Sequence, residues 1–300
     1  MMMAADRWYI YYGRDGGVIP PGVTRVRIHE SLTVIPARAF EGNRNIKEVE
    51  FHDRVKTVGG SAFYKCTSLR KAIMPGVEEV EGCAFMICKA LEDVEFDKLE
   101  RIGYGAFTLC KSLRSINLPS ATIVEDGAFW NCTALTNVEF GKELESIGGT
   151  AFSHCTSLER ITIPLKDGII TDDDIFRRCA NLKNVDLVEG EVQETIAYLQ
   201  LEEWKNDMNE EINSINQILS NAPVGDDNDD EGGKALAIRM WIRSVLRKII
   251  HYKAQHQRAL EEAAAVLQLQ VALPQDILMK NVIPFLELPY TPSKWRITRR

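Results

Sequence analysis

Cysteine is where chemistry would first be sought in this 300-residue sequence, because six of its seven cysteines recur as one series: Cys66, Cys88, Cys110, Cys132, Cys155 and Cys179. Thiolates at regular spacing invite a metal. Tetrahedral zinc, however, takes ligands that converge on a point, commonly from CxxC pairs, and no CxxC occurs. Free Cys ranks among the most buried residue types, so the series reads as a column of small buried side chains. Cys83 stands outside it and is expected to be the accessible thiol. An odd cysteine count, and a start (MMMAADRWYIYYGRDGG) without an apolar leader, favour reduced thiols and a cytoplasmic location over a secreted disulfide framework.

Other catalytic candidates are few. GxSxG, P-loop, dinucleotide and HExxH motifs are absent, and the five histidines are scattered at 29, 52, 154, 251 and 256. The acidic run APVGDDNDDEGG, residues 222–233, fails as a calcium loop: counting from Asp227, Gly232 falls sixth as required, but the twelfth residue is Ile238 instead of a bidentate Glu. No enzyme activity, metal, cofactor or small-molecule substrate is therefore expected. A net charge of -7 argues against a nucleic-acid partner, since phosphate neutralisation needs concentrated Lys and Arg. No uninterrupted apolar run reaches the roughly 18 residues of a membrane span.

What positions the cysteines is a repeat. Each lies three residues after a phenylalanine of the series Phe40, Phe63, Phe85, Phe107, Phe129, Phe152 and Phe176, with Asn43 in the cysteine's place in the first repeat. The phenylalanines are separated by 23, 22, 22, 22, 23 and 24 residues, a period too short for helical-pair or propeller repeats and right for leucine-rich ones. An aliphatic residue stands five before most anchors (Ile35, Val58, Val80, Ile102, Val124, Ile147) and another six after each (Ile46, Leu69, Leu91, Leu113, Leu135, Leu158, Leu182). A short alternating strand follows, with Val49/Phe51, Val94/Phe96, Ile116/Leu118, Val138/Phe140, Ile161/Ile163 and Val185/Leu187 pointing inward. One such coil cannot bury its own apolar face, so the anchors must be covered by the coils on either side. The fold class that follows is an α/β leucine-rich-repeat solenoid with a parallel sheet on one face, followed by an α-helical hairpin.

The combined pattern, close to LxxIxxxAFxxCxxLxxIxIP over residues 20–190, resembles the BspA-like leucine-rich repeats found in bacteria and expanded in some microbial eukaryotes such as diatoms. That resemblance implies a right-handed solenoid and recognition of proteins or surfaces, and it names no ligand.

Strand residues eight and ten after each anchor alternate with the inward ones and mark the candidate partner-binding face: Glu48, Glu50, Lys71, Ile73, Asp93, Glu95, Asn117, Glu139, Arg160 and Asp186 among them. Coils of the EVEF, DVEF and NVEF type alternate with coils ending AIMP, INLP and ITIP, so the sequence unit is a pair. Every second coil thus carries an acid, in the stripe Glu50, Glu95, Glu139 and Asp186, spaced about 10 Å apart by two strand spacings. The stripe points to a basic protein partner; solvated carboxylates left by duplication are the alternative.

Residues 1–30, with Trp8 to Tyr12 and Val23, Val26 and Ile28, read as a strand-rich N-terminal cap to the seven coils of 31–190. Periodicity then changes to that of helices: Leu201, Trp204, Met208, Ile212, Ile215 and Leu219, and after the acidic linker Ile238, Ile242, Val245, Ile249 and Tyr252. Residues 191–272 are therefore read as a helical hairpin, its acidic first helix attracting Arg239, Arg243, Arg247 and Lys248 of the second. The stretch ALAIRMWIRSVLRKIIHYK also has the look of a calmodulin or membrane-surface target. Residues 273–300 read as a closing helix and basic tail; their opening, LPQDILMKNVIPFL, faintly resembles an F-box, which would imply a substrate receptor for ubiquitin ligation.

Overall fold

The computed structural model describes residues 8–13, 19–188, 202–222 and 233–272. The F-box-like segment and most of the acidic linker lie outside these residues. Among the described residues fifteen parallel strands run along the stack, long and short alternating from β2 to β14. The long set is β1 (Tyr9–Tyr11), β2 (Arg25–Ile28), β4 (Glu48–Glu50), β6 (Lys71–Met74), β8 (Asp93–Phe96), β10 (Ser115–Leu118), β12 (Asn137–Phe140), β14 (Arg160–Ile163) and β15 (Asn184–Leu187). Between them come the two-residue strands β3 (Val34–Ile35), β5 (Thr57–Val58), β7 (Glu79–Val80), β9 (Arg101–Ile102), β11 (Ile123–Val124) and β13 (Ser146–Ile147). The short strands form their own six-stranded sheet, in which the aliphatic residues five before the first six anchors pair coil to coil. The long strands form the expected parallel face in two segments, β1-β2-β4-β6-β8 and β10-β12-β14-β15.

Between the sheets the seven anchors stack. Ring centroids from Phe40 to Phe176 step by 4.8, 5.0, 5.2, 5.3, 5.2 and 5.8 Å, and the interior rings lie within 3° of parallel. Every anchor is at most 2% exposed. The two-coil unit has a physical cause: Phe51, Phe96 and Phe140, ending alternate strands, tilt against Phe63, Phe107 and Phe152 of the next coil at 6.1–6.2 Å. Intervening coils place Met74, Leu118 and Ile163 there, all fully buried. Large and small fillers thus alternate along the core. At the N-terminal end Tyr11 of β1 lies 4.6 Å from Phe40, so β1 and β2 extend both the sheet and the ring stack.

Each of the first six coils turns through left-handed backbone two residues before and two residues after its anchor, and the seventh does so only after it, at Arg178 (φ 60°). In the third coil these are Cys83 (φ 58°) and Ile87 (φ 66°); in the fourth, Gly105 (φ 60°) and Leu109 (φ 63°). Six coils hold this geometry with side chains as poorly suited to it as Ile87 and Thr150 (φ 55°), because the hydrogen bonds that run from coil to coil fix the turn. Lys65, Ile87 and Leu109, for example, donate their amides to Met86, Thr108 and Trp130 of the next coil.

The seventh coil departs from the pattern by one inserted residue. Ile170, not Thr171, takes the buried position and bridges Ile147, while the Thr171 hydroxyl donates to the Ile147 carbonyl at 2.6 Å. Asp172 then caps a short 3-10 turn, Asp173–Phe176.

Two helices follow among the described residues, α1 (Glu202–Asn221) and α2 (Gly233–Ala272). The chain divides into two compact units, residues 1–192 with 213–243, and residues 193–212 with 244–300. In the first unit, Ile215 and Leu219 of α1 and Ala235, Ile238, Trp241 and Ile242 of α2 are buried at the open end of the coil stack. Asn216 accepts the Val185 amide of the edge strand β15 at 3.3 Å, and buried Lys234 donates to the carbonyls of Ala180 (3.2 Å) and Leu182 (2.5 Å). In the second unit, Lys248 pairs with Asp207 (2.9 Å) and Glu211 (3.0 Å), and the Trp204 and Tyr252 rings stack at 5.1 Å. The acids of α1 therefore attract Lys248 as read from sequence, but Arg239 and Arg243 do otherwise. They pair with Asp173 (2.7 Å) and Asp167 (3.1 Å) of the seventh coil. Charge sign predicts attraction, whereas position along the helix decides which acid is within reach.

Candidate functional site

Alternation along each long strand fixes which side chains are offered to a partner. Val49, Ala72, Ile116, Val138 and Ile161 point into the core at 3% exposure or less, so the residues on either side of them face outward. Strand register aligns these outward residues from coil to coil: Glu48, Lys71 and Asp93 in one row, Glu50, Ile73 and Glu95 in the next. Beyond the break in the ladder, Asn137, Arg160 and Asn184 share a row, as do Glu139, Thr162 and Asp186. Asp93, Glu95, Ser115, Asn117, Glu139 and Arg160 are exposed; Glu48, Glu50, Lys71, Ile73 and Asp186 are half-buried.

The acidic stripe is largely offset by cations of the same face. Glu48 meets Arg25 at 2.6 Å and Glu50 meets Arg27 at 2.6 Å. Lys71 bridges Asp93 (2.9 Å) and Glu95 (2.8 Å), and Arg160 holds Asp186 at 2.6 Å. Hydrogen bonds to Glu95 and then Asp93 raise the pKa of Lys71, keeping it charged. Among the described residues Glu139 has no ion-pair partner. Arg25 and Arg27 belong to this face although they precede the first full coil; stepping the 23-residue period back from Glu48 and Glu50 reaches them. Their guanidinium groups also cover the Trp8 ring, at 4.7 and 4.9 Å.

The cysteine series is buried and engaged. Each thiol donates to the carbonyl of the anchor one coil earlier, from Cys66 to Phe40 (3.0 Å) through Cys179 to Phe152 (3.1 Å). Burial pushes the Cys66 and Cys179 thiols up to about 12, and the four between them well above the usual thiol range. Protonated thiols neither bind zinc nor act as nucleophiles. Cys83 is half-buried, and burial raises its pKa as well. Among the described residues no three His, Cys, Asp or Glu side chains group so as to hold a metal ion. No described helix is long and apolar enough to cross a membrane. In the basic stretch of α2, Ala235, Ile238, Trp241, Ile242, Val245 and Ile249 are buried, while Leu236, Met240 and Ile250 are exposed.

Residues 22–132 and 100–206 match the BspA type leucine rich repeat region, in six copies. The chain belongs to this family. Among solved structures it resembles a leucine-rich repeat protein from Bacteroides ovatus, with 28% identity over 56% of this chain and 43% of that one, at a TM-score of 0.48. The T. pallidum leucine-rich repeat protein is 20% identical over 59% of this chain and 83% of its own, at 0.39. The pneumococcal vaccine antigen PcpA is 17% identical, covering 60% and 65%, at 0.34. The chain thus spans under half the length of the Bacteroides relative. No curated protein sequence matches it. Membership in the BspA-type repeats supports a protein-interaction scaffold in general terms.

Proposed function

We propose that this BspA-type chain is a non-catalytic protein-binding scaffold whose long-strand face is the recognition surface. The observation that carries the reading is the register: side chains from successive coils are held outward in straight rows on a backbone that adjacent coils lock in place. Rigid presentation lowers the ordering cost of binding. Pairing within the face makes recognition a matter of pattern more than of net charge. A basic group of the partner is received at Glu139, beside Asn117 and Asn137, where no neighbouring cation competes.

The test is affinity capture from the source cell followed by titration of the purified partner. Asn117→Lys/Glu139→Lys should weaken binding about tenfold or more, the factor that 1.4 kcal/mol represents, with salt sensitivity reduced. Replacing Glu50, Glu95 and Glu139 together by Gln tests the wider stripe. Unchanged binding in both variants refutes the assignment of this face.

A further inference from the structure

We infer a second interaction surface, basic rather than acidic, on the turns that lead into the long strands of the first four coils. Positions four and seven after the anchor carry Arg44 and Lys47 in the first coil, Arg70 in the second, Lys89 in the third, and Lys111 and Arg114 in the fourth. All six are exposed. Among the described residues none of them has an ion-pair partner, unlike Arg25, Lys71 and Arg160 on the adjoining face. The one acid at these positions in the four coils is Glu92. Glu48 and Asp93 border the surface and are already held by Arg25 and Lys71. Beyond the fourth coil the same positions hold Thr133, Thr136, Thr156, Glu159, Ala180 and Lys183, so the basic character stops there.

Stacking makes this a surface rather than scattered charges. Rings of these coils repeat every 4.8–5.2 Å, which puts cations of successive coils about one strand spacing apart and gives a strip about 15 Å long. In a chain of net charge -7, a concentrated unpaired cluster of this sign is out of keeping with the remainder. Between the cations stand small residues, Asn45, Ser68, Ala90 and Ser112, which let a chain lie close.

The occupant that fits is an acidic polypeptide segment. Single-stranded nucleic acid would want aromatic faces for stacking. Positions four to seven after the anchor hold no aromatic residue in any of the four coils. An anionic membrane would want exposed apolar side chains for insertion, and the exposed large ones (Ile10, Tyr12, Val34, Tyr104 and those of the helices) lie elsewhere.

Fluorescence anisotropy of the full chain with a labelled oligo-glutamate peptide tests this, with oligothymidylate and phosphatidylserine vesicles as comparators. The peptide should bind best, release with salt, and lose about tenfold or more of its affinity in Lys89→Glu/Lys111→Glu/Arg114→Glu. Lys98→Glu/Lys142→Glu, exposed but off the strip, should bind as the parent does; circular dichroism checks that both variants fold. Absence of peptide binding, equal loss in both variants, or tighter binding of the oligonucleotide or vesicles overturns the inference. None of these outcomes bears on the long-strand face.

Discussion

The thiol of Cys110 donates a hydrogen bond to the carbonyl oxygen of Phe85, one coil earlier, at 3.2 Å. That oxygen already receives the Cys88 amide at 3.1 Å, so the thiol fills its second acceptor site. Five equivalent bonds run along the stack, and the cysteine is small enough to sit against its neighbours while still carrying a donor. Cysteine here is a structural residue, with a polar function that its apolar surroundings keep protonated.

Alkaline instability follows from those surroundings. Unfolded cysteine titrates near 8.5. In the folded chain Cys66 and Cys179 are held up to about 12 and the four between them well above their usual range. A pKa raised on folding gives stability that is intact below the unfolded value and lost as pH climbs toward the folded one. Each thiol that ionises on unfolding but stays protonated in the fold adds to the slope, so six of them make the loss steep. Denaturant melts under reducing conditions should therefore show little change from pH 7 to 8 and a collapse near pH 9.5. Cys88→Ala/Cys110→Ala should be less stable at pH 7 but have a shallower alkaline slope. A slope unchanged from the parent's refutes the mechanism.

Removing one interior ring should cost far more than removing a surface charge. Phe107 lies between Phe85 at 5.2 Å and Phe129 at 5.3 Å, with Phe96 edge-on. Phe107→Ala empties a site bounded by three aromatic rings and should lose about 3–5 kcal/mol in urea titration. Glu139→Gln, exposed and without an ion pair among the described residues, should stay within about 0.5 kcal/mol of the parent.

Much of this architecture was legible because the repeat imposes the same demand seven times. The anchors, the aliphatic partners and the alternating strands declare themselves by spacing alone, and with them the core and the direction of each outward side chain. Less visible were features that arise only between coils. Nothing local marks Val58 or Ile102 as the end of a strand, since a two-residue strand exists only through its neighbours. The pairing of Lys71 with Asp93 and Glu95 likewise depends on register, so a stripe that reads as acidic along the chain is offset across it. Left-handed turns were hidden for the opposite reason: Gly105 and Gly127 mark them, but Ser61, Cys83 and Thr150 occupy equivalent positions without advertising it.

Those turns make a testable inequality between equivalent positions. Thr150 is exposed, β-branched and at φ 55°, where Gly105 and Gly127 sit in the two preceding coils. Left-handed backbone costs a non-glycine residue about 1–2 kcal/mol, and asparagine bears it better than threonine. Thr150→Asn should raise the melting temperature by about 2 °C, and Gly105→Ala should lower it by a similar or larger amount. If Thr150→Asn melts below the parent, the turn is not the strained element described here.

At the C-terminal end, Lys234 supplies donors to two carbonyls of the seventh coil, Ala180 and Leu182, from a position 4% exposed. Lys234→Met keeps the volume but leaves both acceptors without that donor, and should cost about 1–3 kcal/mol at pH 7. Burial also lowers the amine's own pKa. A lysine whose pKa falls on folding destabilises the folded state below that lowered value, and the penalty fades as pH rises toward the unfolded value near 10.4. The other buried cysteines are common to parent and variant, whereas Cys179 loses the nearby ammonium that lowers its pKa, which pushes the thiol further up in the variant and widens the gap in the same direction. The stability gap between them should therefore widen as pH rises toward that unfolded value of the lysine. A gap that narrows would mean that Lys234 is stabilised as a cation, and that its contacts with the two carbonyls outweigh its loss of water.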